Sequence, residues 1–323
     1  PSTSWSSGDY TLEQEGIARQ FRVRLPAGYS TDQAYPLIAL FHGWGGDESE
    51  FLDNATVQSE SDQRGYVLVA PLGLGREEPG NRFSSWYFQG STTGLDGDGL
   101  NAAVSNDTDA ICDDDMTANY TYPSCEGIAE NGCSWTQCSV DDVAFSAALV
   151  QEVSANVCID SERVYAVGGS NGGMFVWDLG RDAQSAEVFT AVAPILGLPH
   201  RGYLDPPISE GGMPVISITG SRDRTVPPGD WEQESFTTTS DGDVYYYSSA
   251  SAITRVWAES HGCDTTVPAE SIDVGSSSME CRGWSYCQSD SQWPPVLDCR
   301  GDMGHRYNLS SSWPLILDFF EQL

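Results

Sequence analysis

The chain contains several short, almost continuous apolar runs, each ending in glycine, proline or a polar turn. Runs of this length that are apolar on both faces are typical of strands buried inside a parallel sheet. We therefore predict five central strands, at Pro36–Phe41, Tyr66–Pro71, Arg163–Val167, Phe189–Pro194 and Pro214–Thr219.

Alternating and helical patterns lie on either side of these runs. Two alternating segments near the start, Tyr10–Glu15 and Arg19–Leu25, predict a pair of strands. An apolar stripe from Val143 to Val153 has helical spacing and follows a capping sequence. We interpret Asp141 and Asp142 in that sequence as helix-capping residues rather than as a catalytic pair.

Strands that alternate with helices predict an α/β fold with a mostly parallel central sheet and helices on both faces. A last helical pattern, Trp313–Phe320, closes the chain. The length of 323 residues suits one large domain, and we predict a single domain over residues 1–323. The segment 76–138 is rich in small polar residues and predicts a disulfide-held insertion, and the stretch 262–302 has the same character.

The charge balance is strongly acidic, with 15 arginines, no lysine and 47 acidic residues, giving a formal net charge of −32. Such a surface repels nucleic-acid phosphates and anionic membranes, so neither is an expected partner. No uninterrupted apolar stretch is long enough for a transmembrane helix. The first residues show no signal-peptide pattern, so we expect any signal peptide to have been removed.

Nine cysteines fall into a group of five and a group of four. They lack the Cys-x-x-Cys spacing of zinc sites, so we expect disulfides and a secreted protein. Because nine is odd, we expect at least one cysteine to be free or to pair between chains. We expect a Cys133–Cys138 bridge, and Cys112 paired with Cys125 or Cys158. The four later cysteines are expected to pair among themselves: Cys263, Cys281, Cys287 and Cys299.

The strongest chemical signal is the sequence Gly168-Gly169-Ser170-Asn171-Gly172, which follows a predicted strand and precedes a helical pattern. A sharp strand-to-helix turn exposes the serine oxygen at the carboxyl edge of the sheet. Glycines on both sides of the serine allow neighbouring backbone to approach closely. We predict Ser170 to be a catalytic nucleophile.

A serine nucleophile needs a base, and the chain has four histidines. His305 lies near the end of the chain, which fits the order serine, acid, histidine of hydrolases with such a turn. We predict His305 to be the base. His200 and His261 remain as alternatives, and His42 lies in a glycine-rich turn.

The third member of such a site is a carboxylate placed after a strand, between the serine and the histidine in sequence. Asp223 follows the glycine that closes the fifth predicted strand. It would hold the imidazole in the required tautomer and stabilise the imidazolium. Asp230 and Asp302 are its competitors.

Acyl transfer also needs backbone N–H donors that stabilise the developing oxyanion. The glycine-rich turn His42-Gly43-Trp44-Gly45-Gly46 follows the first central strand and exposes such donors. We predict that the N–H groups of Trp44 and Asn171 form the oxyanion hole. Four further residues are predicted substrate contacts: Trp86, Tyr87, His200 and Trp313.

We expect no cofactor, with calcium as an alternative in one loop. The segment Gly94–Asn101 resembles part of a calcium-binding loop, in which Asp96, Asp98 and Asn101 offer oxygen ligands. The later bidentate acid of a complete loop is missing. A solvated, turn-rich loop is therefore the favoured interpretation.

Taken together, these motifs resemble the polyhydroxybutyrate depolymerase/feruloyl esterase family over roughly residues 20–320. The resemblance rests on His42–Gly46, Val140–Val143, Arg163–Met174, Gly220–Pro227, His261–Cys263 and Gly304–His305. It implies the α/β-hydrolase fold and secreted hydrolysis of carboxylic esters.

We therefore expect a serine esterase similar to feruloyl esterases, acting on hydroxycinnamoyl or acetyl esters of plant or algal polysaccharides. An extracellular polyester depolymerase, with a polyhydroxyalkanoate-type substrate, is the alternative within the same fold. An alternative from another class is a catalytically silent α/β-hydrolase that serves as a binding module.

Overall fold

The computed structural model describes residues 5–75, 83–91, 111–112, 122–125, 136–138, 140–203, 213–240, 244–285, 287 and 291–323. Its strands are β1 (Gly8–Gln14), β2 (Ile17–Arg24), β3 (Tyr35–Phe41), β4 (Val67–Pro71), β5 (Ile159–Gly169), β6 (Ala191–Ile195), β7 (Val215–Gly220), β8 (Phe236–Thr238), β9 (Tyr246–Ser248), β10 (Glu270–Ile272), β11 (Glu280–Gly283) and β12 (Val296–Gly301). Its α-helices are α1 (Ser49–Leu52), α2 (Ala55–Arg64), α3 (Asp142–Asn156), α4 (Asn171–Arg181), α5 (Ala183–Ala186), α6 (Ala250–Ser260) and α7 (Leu309–Phe320).

Ten strands form one sheet in the order β1-β2-β4-β3-β5-β6-β7-β12-β11-β10. The six strands from β4 to β12 in this order pair in parallel. The strands outside them pair antiparallel at both edges. This arrangement confirms the predicted α/β fold with a mostly parallel sheet, and each of the five predicted apolar runs overlaps a central strand.

Two hydrophobic cores lie on opposite faces of the sheet. Along β3, the side chains of Leu37, Ala39 and Phe41 belong to one core, and those of Ile38 and Leu40 belong to the other. Helices α3, α4 and α6 cover the first face, whereas α1, α2 and α7 cover the second. Because both faces are covered, side chains on both sides of the central strands are buried. This explains why these strands are apolar throughout and do not alternate with polar residues.

Helix α3 begins as the capping sequence predicts, but its two acids have different roles. The Asp141 carboxylate accepts a hydrogen bond from the backbone N–H of Ala144 at 2.8 Å, so Asp141 is the N-cap. Asp142 is buried and forms an ion pair with buried Arg19, whose guanidinium lies 3.8 Å from the ring centroid of Phe145. This pair ties β2 to α3 and is not part of the candidate site.

The disulfides correct part of the predicted pairing. Cys138 is bonded to Cys125 rather than to Cys133, and Cys158 is a free cysteine, so Cys112, which is itself disulfide-bonded, pairs with neither predicted partner. Cys133 lies outside the described residues. The later cysteines pair among themselves as predicted, as Cys263–Cys287 and Cys281–Cys299.

The stretch 262–302, predicted to be an excursion like 76–138, instead extends the sheet. Strands β10, β11 and β12 continue it beyond β7, and Cys281 lies directly opposite Cys299 in the β11–β12 register. These strands are short and the two outer ones are largely polar, so their apolar pattern is weak. No helix in the described part of the chain is long and apolar enough to cross a bilayer.

Candidate active site

The candidate nucleophile lies between β5 and α4 at the carboxyl edge of the parallel strands. Ser170 has φ 51° and ψ −115°, a conformation that L-residues rarely adopt and that is found mainly at functional sites. The surrounding glycines explain how the turn is possible. A Cβ at Gly172 would lie 2.2 Å from the carbonyl oxygen of Phe41, and one at Gly168 would lie 2.2 Å from that of Gly172.

The structure brings together the three side chains that the sequence nominates. The Ser170 Oγ lies 2.9 Å from Nε2 of His305, and the Nδ1 of His305 lies 2.7 Å from Oδ2 of Asp223. A carboxylate at Nδ1 requires the proton there, which leaves the Nε2 lone pair facing the serine hydroxyl. Asp223 is buried, and its Oδ1 accepts hydrogen bonds from the N–H groups of Thr225 and Val226 at 2.9 Å each.

The two alternatives to Asp223, Asp302 and Asp230, are both exposed. Asp302 is exposed and forms an ion pair with Arg222, with 2.6 Å between Oδ1 and Nε. Asp230 is also exposed. Neither carboxylate has the buried, hydrogen-bonded setting of Asp223.

The other three histidines are buried and occupy structural positions. His42 Nδ1 donates to the carbonyl of Gly43 at 2.7 Å, and its Nε2 accepts from the N–H of Gly73 at 2.9 Å, so one neutral tautomer satisfies both. Burial lowers the pKa of His42 to about 4. Burial likewise lowers the pKa of His200 to about 4 and lowers that of His261.

The glycine-rich turn after β3 lies beside Ser170, and several of its groups have defined partners. The N–H of Gly43 donates to the Glu50 carboxylate at 2.9 Å, and the N–H of Gly45 donates to the carbonyl of Ser84 at 2.7 Å. Trp44 lies between these two glycines and lines the same cavity as Ser170. Its N–H remains the predicted donor from this turn.

Asn171, the second predicted donor, is the first residue of α4, where backbone N–H groups lack partners within the helix. Its side chain is fully buried and forms two hydrogen bonds with the backbone of Trp86, from N–H to Oδ1 at 2.8 Å and from Nδ2 to O at 3.2 Å. The Trp86 indole N–H donates to the carbonyl of His42 at 2.9 Å. Trp86 therefore bridges the two elements that carry the predicted donors.

The predicted substrate contacts do not line the cavity. Trp86, His200 and Trp313 are fully buried among core side chains, because the segment 83–91 and the two hydrophobic cores enclose them. Tyr87 is partly exposed, and its backbone N–H donates to Asp142 at 2.7 Å. The predictions for Trp86, His200 and Trp313 are wrong, because a fully buried side chain cannot contact a substrate, and Trp86 instead supports the site from behind. Tyr87 does not line this cavity, and its contact with substrate stays a prediction.

A cavity of about 500 Å³ opens over Ser170 and His305. Most of its lining was not predicted, because the sequence does not show which side chains near the motifs face a common space. The unpredicted lining residues are Gly43, Glu50, Met174, Thr225, Val226, Thr239, Tyr245, Tyr247 and Tyr307. Gly43, Met174, Thr225 and Val226 lie within the motifs quoted above, whereas Glu50 and Tyr307 have no local signal.

Glu50 and Tyr307 form a hydrogen-bonded pair at the edge of this cavity. Burial raises the pKa of the Glu50 carboxyl, although the N–H of Gly43 and the phenol of Tyr307 both oppose that shift by donating to it. Burial and the neighbouring carboxylate raise the pKa of Tyr307 well above its ordinary value. The pair links the turn that carries Trp44 to the loop that carries His305.

No group of three or more His, Cys, Asp or Glu side chains suited to a metal ion occurs among the described residues. The calcium alternative at Asp96, Asp98 and Asn101 lies outside those residues.

Comparisons with known proteins find sequence similarity to two esterases. No family model matches the sequence. Feruloyl esterase D from Neurospora crassa is 27% identical over 230 residues, which cover 67% of this chain and 61% of that protein. NocK from Nocardia uniformis, named as an esterase, is 25% identical over 217 residues, which cover 66% of this chain and 47% of that protein.

Among solved structures, the acetyl xylan esterase from Aspergillus awamori superposes with a TM-score of 0.56 at 12% identity. The superposition covers 98% of this chain and all of that one, so it shows a shared fold. With the mostly parallel sheet described above, this shared fold is the α/β-hydrolase fold.

Proposed function

We propose that this protein is a secreted serine hydrolase of carboxylic esters, with Ser170 as nucleophile, His305 as base and Asp223 as its acid partner. One observation carries the proposal. The three side chains form a continuous hydrogen-bonded chain, although they are far apart in sequence and belong to loops after three different strands. That arrangement has the geometry of a nucleophile, a base and a group that orients the base.

The reaction follows from these contacts. As the Ser170 oxygen attacks the acyl carbon, His305 Nε2 takes the hydroxyl proton, and the carbonyl oxygen becomes an oxyanion. The N–H groups of Trp44 and Asn171 would stabilise this charge, and the N-terminus of α4 adds a favourable dipole. The imidazolium then gives its proton to the alcohol oxygen as the C–O bond breaks, leaving an acyl-enzyme.

The second half of the reaction repeats the same proton transfers with water. His305 removes a proton from a water molecule, which attacks the acyl carbon, and then returns that proton to Ser170 as the carboxylic acid leaves. Asp223 keeps the imidazole in the required tautomer throughout. Its two backbone hydrogen bonds, from Thr225 and Val226, fix the carboxylate for this role.

We propose hydroxycinnamoyl or acetyl esters of polysaccharides as substrates. The similarity to feruloyl esterase D supports this choice. The cavity also supports it, because its volume of about 500 Å³ and the side chains of Met174, Val226 and Tyr247 suit a flat, largely apolar acyl group. The disulfides support an oxidising, extracellular location.

A fluorophosphonate probe and a substrate panel test the proposal. We expect the probe to label the native protein on Ser170 and to leave Ser170→Ala unlabelled, and we expect hydrolysis of methyl ferulate or an aryl acetate. Absence of labelling would favour a silent binding module. Hydrolysis of a polyhydroxyalkanoate emulsion without activity on the small esters would favour the polyester depolymerase.

A further inference from the structure

We propose that the indole of Trp44 is a binding subsite for a neutral sugar ring on the alcohol side of the ester. This inference rests on the proposed ester hydrolysis and names the part of the substrate that the site recognises. Trp44 lines the cavity that contains Ser170, yet 44% of its surface is exposed. The exposed part of the ring therefore offers an apolar surface at the cavity that a bound ligand can cover.

The Trp44 ring is held in one orientation before any ligand arrives. Its indole N–H donates to the phenol oxygen of Tyr122 at 2.8 Å, and its ring stacks on Phe83 with the centroids 4.5 Å apart. The Tyr122 hydroxyl in turn donates to the carbonyl of Phe83 at 2.9 Å. A ring fixed in this way loses little conformational entropy when it binds a ligand.

The two partners of the Trp44 ring, Tyr122 and Phe83, belong to a small hydrophobic cluster that is separate from the two main cores. Buried Tyr122 packs with the disulfide-bonded Cys125 and Cys138, and Phe83 packs against them. The cluster therefore anchors the Trp44 ring to a cross-linked part of the chain.

The strand order places Trp44 on one side of Ser170 and the buried lining residue Val226 on the other. Trp44 follows β3, the neighbour of β5 on one side, whereas Val226 follows β7, which lies two strands away on the other side. Neighbouring strands are about 4.8 Å apart, so the cavity extends well beyond the serine in both directions. The two halves of an ester over Ser170 can therefore occupy different surroundings.

The exposure of the residues on each side of Ser170 indicates which half of the ester, acyl or alcohol, each side binds. Val226 and Tyr247 are almost fully buried, which suits an acyl group that leaves water. The exposed Trp44 suits a group that stays partly hydrated. A sugar ring has this character, because its C–H face can pack on the electron-rich face of an indole while its hydroxyls remain in water.

The charge of the protein selects among sugars. With a formal net charge of −32, the surface repels uronates and other anionic sugars. A neutral pentose or hexose meets no such repulsion. The geometry and the charge thus point to neutral glycosyl esters.

Two esters with one acyl group test the inference. We compare kcat/KM for feruloyl arabinose with kcat/KM for methyl ferulate in the native protein, Trp44→Ala, Trp44→Phe and Phe236→Ala. The ratio of the two values should fall roughly three- to tenfold in Trp44→Ala, the range expected for one aromatic contact, and be largely retained in Trp44→Phe. Phe236 is 40% exposed and lies outside the cavity lining, so Phe236→Ala should leave the ratio unchanged.

The outcomes separate this inference from the proposed function. A native protein that hydrolyses both esters, with the same ratio in Trp44→Ala, would overturn the sugar subsite alone. An equal fall in Phe236→Ala would overturn it as well, since the effect would not belong to the cavity. A native protein that hydrolyses neither ester and is not labelled on Ser170 would refute the proposed function, and the subsite with it.

Discussion

At the scale of single residues, the site depends on backbone positions where a side chain has no space. Ser170 holds a positive φ because β5 turns directly into α4, and Gly168 and Gly172 permit the close packing of that turn. At Gly172 the obstructing atoms belong to the backbone of Phe41 and His42, which cannot move aside like a flexible side chain. The conformation of Ser170 is therefore coupled to the position of the turn after β3.

Gly172→Ala should consequently disturb both elements. The added Cβ would lie 2.2 Å from the Phe41 carbonyl oxygen, so we expect a loss of about 1–3 kcal/mol in unfolding free energy and a kcat/KM at least tenfold lower. Gly8→Ala is the matched control, since its Cβ would meet nothing closer than 4.0 Å. Denaturant unfolding and ester hydrolysis measure the two effects. Equal stability and activity in both variants would contradict the packing account.

Several residues of the candidate site could be nominated from the sequence because each has a local signal. Ser170 stands in a glycine-flanked turn, Asp223 follows a strand-ending glycine, and His305 is a late histidine on a glycine-flanked loop. Glu50 and Tyr307 lack such a signal, because only the fold brings α1 against the loop after β12. Their pairing depends on tertiary contacts that no short motif encodes.

At the scale of elements, the segment 83–91 connects the two sides of the predicted oxyanion hole. Trp86 in this segment bonds to the Asn171 side chain through its backbone and to the His42 carbonyl through its indole. Its ring also packs edge-on against Phe41 and stacks on Phe175. Trp86 therefore helps to fix the turn after β3 relative to the start of α4, in addition to the backbone packing at Gly172.

Trp86→Phe should lower kcat more than it changes KM. The variant keeps an aromatic ring in the core but loses the indole N–H bond to His42, so the two oxyanion donors are held less firmly. We expect kcat on methyl ferulate to fall about tenfold or more. Trp313→Phe is the control, because Trp313 is equally buried and its indole nitrogen has no hydrogen-bond partner in the described structure. Similar losses of kcat in both variants would contradict a positioning role for Trp86.

Element prediction from the sequence succeeded where burial on both faces left a strong pattern. The strands β3, β4, β6 and β7 and the second half of β5 are nearly continuous apolar runs, and their parallel pairing follows from the helices between them. Strands β10 and β11 are short and rich in polar residues, so their pattern is weak. The Cys125–Cys138 bond shows the same limit, because short separation suggested Cys133–Cys138, whereas three-dimensional proximity decides the pairing.

At the scale of the whole molecule, the fold keeps two of its four histidines neutral at pH values where a histidine in the unfolded chain is protonated. Burial lowers the pKa of His42 and of His200 to about 4, whereas an unfolded histidine titrates near 6.5. Between these values the unfolded chain binds more protons than the folded one. The contribution of these two histidines to the unfolding free energy should therefore be complete above about pH 6.5 and be lost as the pH falls toward 4.

Each of these histidines contributes a slope of up to about 1.4 kcal/mol per pH unit in that window. His200→Asn removes one titrating group and keeps a side-chain donor for the carbonyl of Tyr246. Urea unfolding at several pH values between 4 and 7.5 should give a shallower slope in this variant than in the native protein. Parallel slopes would show that His200 does not couple folding to protonation.

The account of the whole molecule rests on Ser170, His305 and Asp223 acting as one unit in ester hydrolysis. The most direct test measures kcat for methyl ferulate in the native protein, the three single alanine variants and the Ser170→Ala/His305→Ala double variant, with circular dichroism to confirm folding. We expect each single change to lower kcat by several orders of magnitude, and the double change to cost little more than Ser170→Ala alone. A folded Ser170→Ala or His305→Ala protein with near-native kcat, or losses that multiply in the double variant, would contradict the account.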